Sequence, residues 1–225
     1  MINFSKIWSI LTGKFPAFME GVGITLELAA YTVLFGSLLG LIVAVFRRTR
    51  IWPLRWLMNA YVAFIRGTPL LVQVLIIVYG LPQLGVKLPR LTMCVVALVI
   101  NSGAYMAELI RAGLQSVERG QVEAAESLGM TGSQTMLYII LPQAVKVTLP
   151  AMGNEFVAII KESSILYAVG VYELTYQAYK LASVNYYYIE TLIVAALIYF
   201  VLTYAATKLL GLLERRMRRG DVKVA

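Results

Sequence analysis

The sequence predicts an all-α integral membrane protein, and three observations carry that prediction. Sixty per cent of the 225 residues are hydrophobic and only 14% are charged, whereas a soluble domain carries about 25% charged residues. Mean hydropathy is +0.76, more apolar surface than one compact core can hide from water. Uncharged apolar runs then recur along the chain, and about 20 such residues suffice to cross a bilayer as a helix.

The clearest runs are 28–46, 91–107 and 191–207. A shorter one, 67–81, begins directly after Arg66. A further candidate, 149–172, is interrupted by Glu155, Lys161 and Glu162 and is the weakest by hydropathy. Five spans result. In the first, Gly36 and Gly40 form a G-x-x-x-G pattern that lets two helices approach closely.

The positive residues orient these spans. Segments following the first, third and fifth spans hold Arg47, Arg48, Arg50 and Arg55, then Arg111, Arg119 and Lys146, then Lys208, Arg215, Arg216, Arg218, Arg219 and Lys223. The opposite side holds only Lys6, Lys14, Lys87, Arg90 and Lys180. This bias predicts an N-terminus outside and a C-terminus in the cytoplasm. It accounts for the net charge of +8 without a nucleic-acid partner. The basic tail 215–225 reads as a stop-transfer and lipid anchor.

There is no histidine and a single cysteine, Cys94, inside an apolar run. An internal disulfide is excluded, and zinc sites and histidine-based triads lack their ligands and bases. The opening stretch, 1–20, does not follow the charged, apolar, small order of a signal peptide.

The cytoplasmic segment 110–146 is longer than a simple connection. Gln121-Val-Glu-Ala-Ala-Glu-Ser-Leu128 is rich in helix formers, and Gly129 stands where a C-terminal cap is expected. A second helix is predicted over 133–141, ending at Pro142. Here the spacing becomes specific. Glu123-Ala124-Ala125, then Gly129, Ile139 and Leu141-Pro142 at fixed offsets resemble the EAA motif of ABC importer permeases. Arg66-Gly-Thr-Pro-Leu-Leu-Val-Gln73, Asn101-Ser-Gly-Ala-Tyr-Met-Ala-Glu108, Arg111-Ala-Gly113, Gly120-Gln121 and Lys161-Glu-Ser-Ser164 are similar to the polar amino acid branch of that family. Glu162 stands where that branch often has an aspartate.

The resemblance implies a type I ABC importer fold of five transmembrane helices plus a cytoplasmic two-helix coupling segment. It implies an extracytoplasmic segment at 1–17, a permease domain at 18–214 with the EAA segment at 121–142, and the tail at 215–225. Glu123, Ala124, Ala125, Gly129, Ile139, Leu141 and Pro142 would contact an ATP-binding subunit. The further partners would be a second permease subunit, identical or related, an extracytoplasmic solute-binding protein, an amino-acid substrate and membrane lipid, in a bacterial plasma (inner) membrane. The sequence has no G-x-x-x-x-G-K-[ST] phosphate loop, so the chain is expected to be non-catalytic and without a cofactor, ATP being bound by the partner.

Charged side chains at mid-membrane cost about 2.5 to 3.5 kcal/mol each, so Glu155, Lys161 and Glu162 must face protein or a water-filled cavity. Glu155 and Glu162 lie about two helical turns apart and share a face. They are candidates for substrate binding, with a structural ion pair as the other reading; Lys161 leans structural. Asn101, Ser102 and Thr68 are further substrate candidates, though hydrogen bonding between helices explains Asn101 and Ser102 as well. Pro69 either frees carbonyls in a broken helix or starts an ordinary one. Arg66 is expected at the cytoplasmic boundary, paired with an acid or closing the pathway.

Three other function classes fit the sequence less well. An ion-gradient-driven secondary transporter calls for inverted repeats, which the spans do not display. A Ser–Lys hydrolase using Ser163 or Ser164 beside Lys161 lacks a nucleophile turn. A sensor scaffold would couple to nucleotide without uptake.

Overall fold

The computed structural model describes residues 3–218, all of whose regular structure is helical; the end of the expected basic tail, 219–225, lies outside the described residues. Helix α1 (Phe4–Gly13) is capped by the Asn3 side chain, which accepts from the amides of Ser5 and Lys6. It packs Ile10 against Phe18 and Val194. Helix α2 (Phe15–Phe46) starts well before the predicted span. Glu20 and Glu27 lower the local hydropathy but face outward on exposed positions, so they leave the helix intact. Its 32 residues reach about 48 Å.

Helices α3 (Trp52–Gly67) and α4 (Leu70–Gln83) follow, bent by 108° at Pro69. The predicted run 67–81 is therefore not a continuous crossing. Helix α4 has 14 residues, about 21 Å against a hydrocarbon layer of about 30 Å. Helix α5 (Arg90–Gln115) is long and the most buried of the candidate spans. Then come α6 (Arg119–Ser127), the single turn α7 (Gly132–Gln134), a π-helical stretch (Thr135–Ile140), α8 (Leu141–Glu162) and a 3-10 stretch (Ser163–Val169). Helices α9 (Leu174–Asn185) and α10 (Tyr188–Arg218) complete the chain. Four helices among the described residues are long and apolar enough to cross a membrane, and the bent α3–α4 pair is a fifth unit.

Pro142 does not stop a helix, contrary to the sequence expectation. From Gly132 to Val169 the helical path is continuous. Pro142 follows directly on a π-helical stretch, whose last bond runs from the Leu141 amide to the Met136 carbonyl. The wider π turn displaces the carbonyl one turn back, which a proline ring would otherwise strike.

The central pair is α2 against α5. Buried Gly36 faces Ser102, and buried Gly40 faces Gly103, Met106 and Ala107. A Cβ at Gly40 would lie 2.5 Å from the Met106 Cβ and 2.9 Å from the Ala107 nitrogen, so the G-x-x-x-G pattern is a contact surface. Gly23, on the same helix, has no atom within 4 Å of such a Cβ. Gly40→Ala is expected to cost about 1 to 3 kcal/mol by overpacking, whereas Gly23→Ala should leave the thermal midpoint in detergent unchanged or slightly raised. Equal midpoints for the two variants would refute the α2–α5 contact.

Candidate translocation and coupling sites

The two predicted site regions are joined by one helical path. Just before that path begins, α6 terminates in a Schellman motif. The Met130 amide bonds the Ala125 carbonyl at 3.1 Å, and the Gly129 amide bonds the Glu126 carbonyl at 2.9 Å. Gly129 has φ +76°, as a left-handed cap requires. Thr131 and Gln134 then form a reciprocal capping box that starts the next helix. That Thr-x-x-Gln signature was present in the sequence and fixes the start at Gly132. Ala125 is buried beneath the turn while Glu123 and Ala124 are exposed. Leu128 is 83% exposed and Tyr138 65% exposed; with Leu141 they give the foot an apolar outer surface. Ile139 is half-buried, and Pro142 is exposed.

Further along the same path, Glu155 and Glu162 lie seven residues, about two turns, apart on α8. The Glu155 carboxyl neighbours the Ser102 hydroxyl of α5. Ser102 is buried with no direct hydrogen-bond partner, so its hydroxyl is open to a ligand or to a shift of Glu155. Glu162 lines a cavity of about 560 Å³ with Leu70, Tyr167, Thr175 and Tyr199. Lys161 is exposed and forms no ion pair among the described residues.

Asn101 and Thr68 belong to a different cluster. Pro69 has no amide hydrogen to offer the Ile65 carbonyl one turn back. Gln73 supplies the missing donor: its side-chain nitrogen lies 2.8 Å from that carbonyl, and 3.1 Å and 2.8 Å from the Thr68 carbonyl and hydroxyl. Asn101 donates to the Gln73 carbonyl oxygen at 2.9 Å. These bonds tie the α3–α4 break to α5, the helix-to-helix hydrogen bonding that was the other reading for Asn101, and they draw Thr68 into the same network. Gln73 was not singled out in the sequence, although a lone amide one turn after Pro69 in an apolar run is a readable signal.

Two acids were likewise missed. Glu108 gathers three arginines: Arg47, Arg111 at 2.7 Å and Arg66 at 3.7 Å. Arg66 thus pairs with an acid of α5, and it also stands over the Tyr105 ring at 5.5 Å. Glu173 is fully buried. It caps α9 by accepting from the Tyr176 and Thr175 amides at 2.7 and 2.9 Å, and it accepts from the Tyr199 hydroxyl at 2.7 Å. Burial pushes its carboxyl above the usual range, and these hydrogen bonds oppose that shift.

Residues 36–219 match the family described as binding-protein-dependent transport system inner membrane component. The chain belongs to that family. Its permease relatives include a probable glutamine ABC transporter permease protein of Bacillus subtilis (strain 168), 45% identical over 94% of this chain and 98% of the relative. An arginine transport system permease protein of the same organism is 37% identical, covering 92% and 95%. The crystal structure of an amino acid ABC transporter with histidines contains a chain 47% identical with a TM-score of 0.90, covering 96% of this permease and 99% of that chain. The ion-gradient alternative finds no support among these relatives.

Gln73→Leu leaves the Ile65 and Thr68 carbonyls and the Asn101 amide without their partner. The expected loss is about 1 to 3 kcal/mol in denaturant unfolding of the solubilised protein. Unchanged stability would mean that the break at Pro69 needs no side-chain donor.

Proposed function

We infer that this permease is the membrane-spanning subunit of an ATP-driven importer of polar amino acids. The observation that carries the reading is the foot: a helix, a glycine-capped turn and a second helix that runs unbroken to Glu155 and Glu162. In this reading α3 and α4 form one broken span, giving five, with the N-terminus outside and the foot and C-terminus in the cytoplasm of a bacterial plasma membrane. The permease domain covers 18–214, preceded by the segment 1–17 and followed by the basic tail. A separate subunit binds and hydrolyses ATP; this chain is non-catalytic and needs no cofactor of its own.

The chemistry of the foot suits a protein partner. Small Ala124 permits close approach, Glu123 can make charge-assisted hydrogen bonds, and exposed Leu128, Tyr138 and Leu141 supply apolar area. Ala125, Gly129, Ile139 and Pro142 shape the turn and its continuation. A second permease subunit and an extracytoplasmic solute-binding protein complete the assembly. Relatives named for glutamine and arginine transport support an amino-acid cargo. Glu162, and Glu155 beside Ser102, offer carboxylates to the ammonium group that every α-amino acid carries.

Two experiments separate these roles. Gly129→Val puts a β-branched residue at positive φ, which costs about 1 to 3 kcal/mol locally without any steric clash nearby. The assembled transporter should then hydrolyse ATP with little stimulation by its binding protein and accumulate little cargo; normal stimulation removes Gly129 from coupling. Glu162→Gln should lower uptake about tenfold or more, as loss of a charge-assisted contact predicts, with subunit assembly intact. Normal uptake in that variant removes Glu162 from the cargo site.

A further inference from the structure

A second polar cavity lies where the C-terminal ends of α2 and α5 meet the middle of α3. It holds about 380 Å³ and is lined by Arg47, Arg48, Asn59 and Arg111 over a floor that includes Ala44 and Leu114. No acidic side chain lines it. Arg47 and Arg111 do contact Glu108 behind the wall, but Arg66 reaches the same carboxylate. One negative charge therefore faces three guanidiniums, and Arg48 adds a fourth. The Arg47 Nε is oriented by Asn59 at 2.7 Å, and Arg111 Nη1 by Gln115 at 2.6 Å. These bonds fix two guanidiniums beside the cavity, and Arg48 lies outside them, so surplus positive charge with the Arg48 fork to offer is suited to a phosphate group.

The position of the cavity selects the source of that phosphate. The apolar run of α2 ends at Phe46, one residue before Arg47. Leu38, Leu41, Ile42 and Val45 expose an apolar surface leading up to the cavity. Trp52 and Trp56 are exposed at the start of α3, the placement of indoles at a membrane boundary. A molecule with acyl chains along α2 and a phosphate at its end satisfies both surfaces at once. Basic pockets between spans on the cytoplasmic side bind anionic headgroups for this reason. We propose that the cavity between α2, α3 and α5 is a binding site for the phosphate headgroup of an anionic phospholipid, with Arg48 as its uncommitted cation.

Native mass spectrometry of the complete, detergent-solubilised transporter tests this by titration with dioleoylphosphatidylglycerol, dioleoylphosphatidylcholine and inorganic phosphate. Arg48 is exposed and outside the Glu108 cluster, so Arg48→Gln should fold and assemble normally. Wild type should bind phosphatidylglycerol saturably and more tightly than phosphatidylcholine. Arg48→Gln should weaken that binding about fivefold, the worth of one basic side chain near an anionic surface, and Arg48→Lys should restore most of it. Equal binding of the two lipids, unchanged in Arg48→Gln, overturns the site. Displacement of phosphatidylglycerol by equimolar inorganic phosphate overturns the lipid assignment.

Discussion

The bilayer offers no water to a freed backbone group, so every interruption of a helix in this protein must be answered from within. The sharpest interruption is at Pro69, where a carbonyl loses its donor and the chain turns by 108°. Gln73 answers it with a side-chain amide aimed at Ile65 and Thr68, and Asn101 anchors that amide to the buried α5. The same accounting governs Glu173, whose carboxylate can be fully buried because two amides and a phenol satisfy it. It also governs Glu108, a charge that persists at a helix junction because three arginines surround it.

Much of the architecture was legible because hydropathy and glycine chemistry are local. The α2 run ending at Phe46, the small-residue pattern at Gly36 and Gly40, and the left-handed cap at Gly129 all follow from residues within a turn or two of one another, whereas α5 runs on past the predicted Ala107 to Gln115. The extent of α2 was less legible. Glu20 and Glu27 break an apolar window, yet a helix end is decided by caps and packing, and Gly21 lies against Leu174 far away in sequence. Pro142 misled for a related reason. A proline rule stated for α-helices does not anticipate a π turn that makes room for the ring.

The sites divide in the same way. The shared face of Glu155 and Glu162 is a matter of helical periodicity and was readable. Their separation from Asn101 and Thr68 depends on how α4 folds back against α5, which no local pattern encodes. The cluster at Glu108 joins α2, α3 and α5 through a contact between Arg47 and a residue 61 positions away. Only its Arg111 edge, one turn along the same helix, had a signature in the sequence.

These elements have different mechanical characters, and the proposed transport reading uses the difference. Helices α2 and α5 meet backbone to backbone through Gly40 and Gly103, leaving little freedom to slide. The path from Gly132 to Val169 is a single lever of 38 residues whose lower end is the foot and whose upper end carries Glu155 and Glu162. Its weakest points are the π-helical stretch beside Pro142 and the internal Pro150, both between the foot and the acids. A pull on the foot therefore reaches Glu155 by bending at those points more readily than by separating α2 from α5. Glu155 lies near Ser102, whose buried hydroxyl has no direct hydrogen-bond partner. In that reading the lever and the α2–α5 pair meet near Ser102, and a small tilt of the lever would open or close that contact.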